Sequence, residues 1–181
     1  NIVTGEIYVG LLPYIEEYLS NSGERYELAE GIRSERDIAS SVVQGFVRGL
    51  RPTLNGQRIK VRDYQIDAIA HAISTNRALL ISPTASGKSL IIYCLVRYYQ
   101  MMELKTLILV PTTSLVEQMY KDFEDYGWNV EKHCHRVYAG RDKISDDSVT
   151  ITTWQSIYKL DRKYFGNFDV VIGDEAHLFK S

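Results

Sequence analysis

The segment Ser82-Pro83-Thr84-Ala85-Ser86-Gly87-Lys88-Ser89 constrains the fold most, because it lies between an apolar run, residues 77–82 (RALLIS), and a helix-periodic stretch, residues 88–102. Strand, loop and helix in that order are the setting of a phosphate-binding loop. Successive backbone N–H groups point into such a loop, and the helix N-terminus adds partial positive charge, so a triphosphate is held without a counter-charge at every oxygen. Gly87 lets the backbone approach where a Cβ would collide, Lys88 reaches the β- and γ-phosphates, and Ser89 offers its hydroxyl to Mg²⁺. Ser82 stands where the common pattern has Gly.

The surrounding sequence alternates in the same way. Apolar runs at 77–82, 106–110 (TLILV), 148–152 (SVTIT) and 168–173 (FDVVIG) predict strands, with a weaker candidate at 133–138. Between them, 88–102 and 113–126 carry apolar residues three and four apart, so they predict helices that cover a sheet. Leu79, Leu80 and Ile81 are apolar on both faces, as expected for a strand covered on both sides. This is the pattern of βαβ units in an α/β fold with a mainly parallel sheet.

Upstream, residues 11–20 and 35–50 predict helices with no long strand between them, and Arg51, Pro52, Asn55 and Gly56 form a polar turn region before a helix at 63–74. The chain therefore divides into a small helical appendage, residues 1–55, and a nucleotide-binding domain, residues 56–181. The first residue is Asn, and the chain stops at Ser181, just after an acidic pair, which leads us to expect an excised fragment.

That pair lies in Val170-Val171-Ile172-Gly173-Asp174-Glu175-Ala176-His177, at the carboxyl end of an apolar run, where open α/β sheets present their ligands. Asp174 is suited to hold Mg²⁺ through water and Glu175 to orient or deprotonate an attacking water. An isolated Asp-Glu pair would more simply cap the following segment. The upstream phosphate loop reverses that balance and points to nucleotide hydrolysis.

Asp-Glu-Ala-His together with Pro-Thr-Ala-Ser-Gly-Lys-Ser resembles the DEAH-type helicases of superfamily 2. The chain is more closely similar to the T4-type UvsW helicases, through Asp63-Tyr64-Gln65, residues 83–90, Arg97-Tyr98-Tyr99, residues 110–113 and Thr153-Trp154-Gln155. The likeness covers roughly residues 58–181. Those helicases resemble Asp-Glu-Cys-His where Ala176 stands here, and the carboxylates and His177 are kept. The resemblance implies a RecA-like P-loop domain that binds ATP and Mg²⁺, with Lys88, Asp174, Glu175 and His177 catalytic. His177 would couple hydrolysis to strand binding.

The loop residues Pro83, Thr84, Ala85, Ser86, Gly87, Lys88 and Ser89 would then bind the nucleotide. The resemblance also implies a Q motif, in which Gln65 selects adenine with Arg62 or Tyr64 close to the base; without it, Gln65 is an ordinary solvated amide. Thr112 and Thr113, at a helix start after a strand, suit phosphate oxygens of a nucleic-acid backbone, although Thr113 is equally an N-cap. The resemblance implies that Thr153 and Gln155 contact the strand as well. Trp154 could stack on a base but is more simply core.

The remaining features are bland. His133 and His135 would share a strand face with no second ligand pair nearby, so a structural role beside Lys132 and Arg136 is favoured over a metal. Arg25, Arg33, Arg36, Arg48, Arg51, Arg58, Lys60 and Arg62 are interleaved with Glu16, Glu17, Glu24, Glu27, Glu30 and Glu35, which predicts a mixed-charge surface. A formal net charge of −2 gives no bulk attraction to nucleic acid, so binding must come from local patches. Cys94 and Cys134 lack pair spacing, and no apolar run approaches the roughly 18 residues of a membrane span, so a soluble, cytoplasmic protein is expected.

The resulting expectation is part of an ATP-dependent DNA motor acting on branched or forked DNA, recombination intermediates or RNA–DNA hybrids. A second RecA-like domain in the parent chain would complete it, so this piece should bind ATP without unwinding. The motor subunit of a restriction system and a nucleotide-gated nucleic-acid-binding module are the alternatives.

Overall fold

The computed structural model describes residues 11–29, 40–75, 77–83, 85–138 and 145–178. Its centre is a four-stranded parallel sheet in the order β4-β5-β3-β6, built from β3 (Thr106–Val110), β4 (Cys134–Val137), β5 (Val149–Thr153) and β6 (Val170–Gly173). β3 pairs in register with β5 from Thr106↔Val149 to Val110↔Thr153, and with β6 from Thr106↔Val170 to Leu109↔Gly173. The carboxyl ends of these three strands are thereby level.

The two central strands, β3 and β5, are buried on both faces, whereas the edge strand β6 is partly exposed, with Val171 on its open side. Ile108 and Val110 of β3 join the main core, whereas Leu107 joins a smaller cluster with Val137 and Ile157. The main core is dominated by α4 (Lys88–Met101), where every residue from Leu90 to Val96 is buried. It packs on α5 (Thr113–Asp125) and α3 (Asp63–Thr75), and a helix sandwiched in this way is apolar around most of its circumference. Tyr93 sits in an aromatic group with Phe123, Tyr126 and Trp128, and the Arg97 guanidinium lies over the Trp128 ring at 5.1 Å.

The upstream helices are α1 (Leu12–Ser22) and α2 (Ser40–Leu50). α2 contributes Val43 and Val47 to the main core, and Phe46 meets Tyr98 of α4 edge-on at 5.6 Å. Between α2 and α3 the polar turn region proves to be a two-residue hairpin of β1 (Thr53–Leu54) and β2 (Gln57–Arg58). Asn55 and Gly56 have φ of 52° and 75°, the left-handed pair that a type I′ turn requires. The Thr53 N–H donates to Tyr126 C=O at 3.2 Å and its hydroxyl to Asp125 C=O at 2.9 Å, fixing the hairpin to the end of α5. The 55/56 boundary falls in this turn.

The main departure from expectation is the run 77–82. The described residues 77–83 form no strand, and Leu79 and Ile81 are 76% and 91% exposed. β6, which could offer them an edge, pairs only with β3 among the described residues. Apolar character marks a segment that can enter a sheet, but a strand exists only when a partner supplies the ladder hydrogen bonds. His133 also departs, since it ends the short helix α6 (Val130–His133) and its ring stacks on Trp128 at 5.4 Å. Two further short helices, α7 (Trp154–Ile157) and α8 (Arg162–Phe165), carry no long periodicity that a sequence could show. No helix among the described residues is long and apolar enough to cross a membrane.

These placements separate two isoleucines. Ile151→Ala, at a fully buried position of β5, should lower the unfolding free energy by about 2–5 kcal/mol in denaturant titration. Ile81→Ala should change it by less than about 0.5 kcal/mol. Equal losses at both positions would show that residues 77–82 are buried in solution.

Candidate nucleotide and nucleic-acid site

The phosphate loop is shaped by two residues that need a left-handed backbone and by one buried amide. Gly87, the N-cap of α4, has φ 81°, and Ala85 has φ 62°. A Cβ at position 87 would collide with Gln65 Nε2, so glycine is required there both for conformation and for space. Gln65 is only 4% exposed. Its Nε2 donates to Ser86 C=O at 2.9 Å, and its Oε1 accepts from the Arg62 N–H at 2.9 Å. The Tyr64 hydroxyl donates to the same Ser86 carbonyl at 2.8 Å, and Arg62 Nη1 donates to Tyr64 Oη at 3.3 Å.

Arg62, Tyr64 and Gln65 thus form a brace between the start of α3 and the loop. Arg62 and Tyr64 are exposed, while Gln65 holds the loop from inside. The Ser82 and Ser86 hydroxyls bond each other, and the Ser86 N–H donates to Pro83 C=O at 3.3 Å, closing the turn. Thr84 lies outside the described residues.

Opposite the loop, β6 is followed by Asp174 and Glu175 and then by a 3-10 turn at Ala176–Leu178. The Asp174 N–H donates to Leu109 C=O at 2.9 Å, which anchors the acidic turn to β3. Glu175 takes φ 51°, and its N–H donates to Asp174 Oδ1 at 3.0 Å. The Lys88 ammonium forms an ion pair with Glu175, and His177 Nδ1 lies 3.5 Å from the other Glu175 oxygen. That hydrogen bond raises Lys88 above its ordinary pKa and holds Glu175 below the usual carboxylate value.

Asp174 behaves differently. Burial raises its pKa above the ordinary value against the pull of Lys88. A partly desolvated carboxylate whose charge is not fully compensated is suited to a hard cation, and Mg²⁺ bound with phosphates needs only one or two protein oxygens. Asp174 fits that role. Ser89, the other expected Mg²⁺ residue, lies in hydrogen-bonding reach of Asp122 and Tyr126.

The remaining expected contacts lie at the same end of the sheet. Thr112 is the N-cap of α5, its hydroxyl accepting from the Leu115 N–H at 3.3 Å, so the capping role falls to it and Thr113 opens the helix. Both are exposed, as is Gln155. Thr153 is 4% exposed and its hydroxyl bonds Ser156 at 2.8 Å, which makes it a support for α7. Trp154 is half-exposed against Phe165 rather than core. The register places Val110, Thr153 and Gly173 at one edge, so the loops that follow them converge.

Two outcomes follow from this geometry. Gly87→Ala should destabilise the chain by about 1–3 kcal/mol, and adding Gln65→Ala should recover only the collision and not the backbone strain, leaving a coupling in a double-mutant cycle. Asp174 holds its proton more strongly when folded, so its favourable contribution is present below the unfolded carboxylate value and is lost as pH rises through the folded one. Asp174→Asn should therefore raise the melting temperature at pH 7, and the gain should shrink on acidification toward about pH 4. A gain that grows on acidification would reverse the assignment.

Residues 58–181 match the family model of the type III restriction enzyme res subunit. The chain is 32% identical over 174 residues to the ATP-dependent DNA helicase UvsW of Enterobacteria phage T4, covering 93% of this chain and 35% of that protein. It is 25% identical over 157 residues to the DNA 3'-5' translocase XPB2 of Sulfurisphaera tokodaii, covering 87% and 32%. A crystal structure of the bacteriophage T4 UvsW helicase superposes with a TM-score of 0.84 at 30% identity, covering 95% of this chain and 63% of that one. The chain spans about a third of the length of these curated relatives. With a RecA-like parallel sheet, a phosphate loop braced against an acidic strand end and a family model over residues 58–181, the chain belongs to the res-subunit family of superfamily 2 helicases and translocases, alongside UvsW.

Proposed function

We propose that this chain is the ATP-binding half of an ATP-dependent DNA helicase or translocase acting on branched DNA, replication forks, recombination intermediates or RNA–DNA hybrids. The observation that carries the reading is the convergence of Lys88, Asp174 and Glu175 with Thr112, Thr113 and Gln155 at one end of a parallel sheet. Nucleotide phosphates on the loop would draw the Lys88 ammonium away from Glu175, freeing that carboxylate to orient water. Mg²⁺, held by Asp174 with Ser89, would neutralise charge on the transferred phosphoryl group.

His177, exposed beside Glu175, stands between the acidic turn and the strand-contacting loops, which suits it to couple the two. A second RecA-like domain in the parent protein would close over the nucleotide, so this chain alone should bind ATP, hydrolyse it weakly and unwind nothing. The name of the matching family supports a second reading, the motor subunit of a restriction system. A nuclease activity in the parent protein distinguishes it.

The test is nucleotide binding and DNA-stimulated hydrolysis, with the parent protein compared on single-stranded, forked and four-way DNA. Lys88→Ala should abolish ATP binding. Glu175→Gln should keep binding and reduce turnover by at least about a hundredfold, the usual scale of general-base loss. Unchanged turnover in Glu175→Gln would remove the hydrolytic reading, and rapid unwinding of a fork by the 181-residue chain would remove the need for a second domain.

A further inference from the structure

At the junction of the appendage with the nucleotide-binding domain lies a cavity of about 240 Å³ that no motif explains. It lies where the end of α2, the β1-β2 hairpin and the start of α3 meet. Four cations border it, Arg48, Arg51, Arg58 and Lys60, against one carboxylate, Asp63. Of the glutamates interleaved with these cations, Glu16, Glu17, Glu24 and Glu27 lie in or just after α1 and none borders the cavity, while Glu30, Arg33, Glu35 and Arg36 lie outside the described residues. Asp63 sits in the first turn of α3, where the helix N-terminus already compensates it.

The four cations are exposed, and none forms an ion pair among the described residues. Holding them together costs self-repulsion, which an anion would offset. Arg51 adds a second observation, since its φ of 51° places a non-glycine residue in the left-handed region at the cavity wall. Such strain is tolerated where surrounding structure enforces it. The enforcing contacts are present, since Pro52 next to it is buried and accepts the Ile59 N–H at 3.0 Å.

Beneath the cationic rim the floor is apolar, formed by Val47, Pro52, Val61 and Ile66, all buried. Gln44 adds an amide. The volume is below the roughly 300–1,000 Å³ of drug-sized pockets, which suits one sugar-phosphate unit with the edge of its base. A polyanion strand can place successive phosphates on several cations at once, as a free phosphate cannot. We propose that this cavity is a nucleic-acid backbone site, which holds phosphates of a bound strand on Arg48, Arg51, Arg58 and Lys60. It is separate from the loops at Thr112, Thr113 and Gln155, and the proposed function enters only in naming the polyanion.

The experiment is fluorescence anisotropy of a labelled oligothymidine with the 181-residue chain across a salt series. Arg58→Gln with Lys60→Gln changes only the hairpin end and its exit, and Arg48→Gln with Arg51→Gln is an independent second variant should the first unfold. Two lost phosphate contacts at about 0.7 each flatten the slope of log affinity against log salt by about 1.4, or roughly twenty-five-fold in affinity at 0.1 M salt relative to 1 M. ATP binding should be unchanged, and the melting temperature should not fall, since each variant relieves self-repulsion. Unaltered slope and affinity in both variants overturn the proposal, as does equal displacement of the oligonucleotide by inorganic phosphate at matched phosphate concentration. Loss of strand binding in Thr113→Ala with Gln155→Ala, but not in the cavity variants, removes the cavity site and leaves the proposed function standing. No binding by the wild-type chain removes the cavity site, whereas the proposed function is decided by the DNA-stimulated hydrolysis of the parent protein.

Discussion

The pairing of β3 on both sides is the constraint on which the rest depends. β3 is bonded to β5 on one edge and to β6 on the other, and the same strand accepts the Asp174 N–H through Leu109 C=O. The three loops that follow Val110, Thr153 and Gly173 are thereby brought level. In-register parallel pairing has this effect because one shifted residue would turn every side chain to the opposite face. The site is a property of the sheet edge before it is a property of any catalytic residue.

The phosphate loop joins this edge through side chains rather than through a ladder. Residues 77–83, which lead into it, have no strand partner, so the loop is located by α4 behind it, by Gln65 and Tyr64 beneath it, and by the Lys88–Glu175 pair across it. Because Gln65 is buried and its amide is spent on Ser86 and Arg62, any movement of the loop must be matched by movement at the start of α3. The left-handed backbones at Ala85, Gly87 and Glu175 lie on the two sides of this pair, where strain is held by the surrounding contacts.

Much of this was legible in the sequence, for physical reasons that differ by residue. That Lys88 meets Glu175 beside Asp174 is foreshadowed by their fixed offsets from a helix start and a strand end, and offsets are linear information. β3 was bounded correctly because a strand buried on both faces is an uninterrupted apolar run. The run at 77–82 has the same appearance and forms no strand, since a sequence window reports burial preference and not the presence of a neighbour. Arg51, Pro52, Asn55 and Gly56 read only as a polar turn region, because the two-residue strands of the hairpin are too brief to show alternation. The brace of Gln65 on Ser86 spans twenty-one residues and had no local signature.

Charge shows most clearly why a linear reading falls short. The chain carries a net −2, and its arginines and glutamates alternate upstream of the loop, so neither total nor spacing favours a polyanion. Folding separates them, because α1 takes Glu16 and Glu17 while α2 and the hairpin bring Arg48, Arg51 and Arg58 round one cavity. The same short stretch then runs from Lys60 at the cavity through Arg62 and Gln65 to the phosphate loop, with Ile66 in the cavity floor directly after the amide that braces Ser86. Occupation of the cavity and occupation of the loop would therefore act on opposite sides of one rigid turn of α3, and coupling between them needs no longer path than that turn.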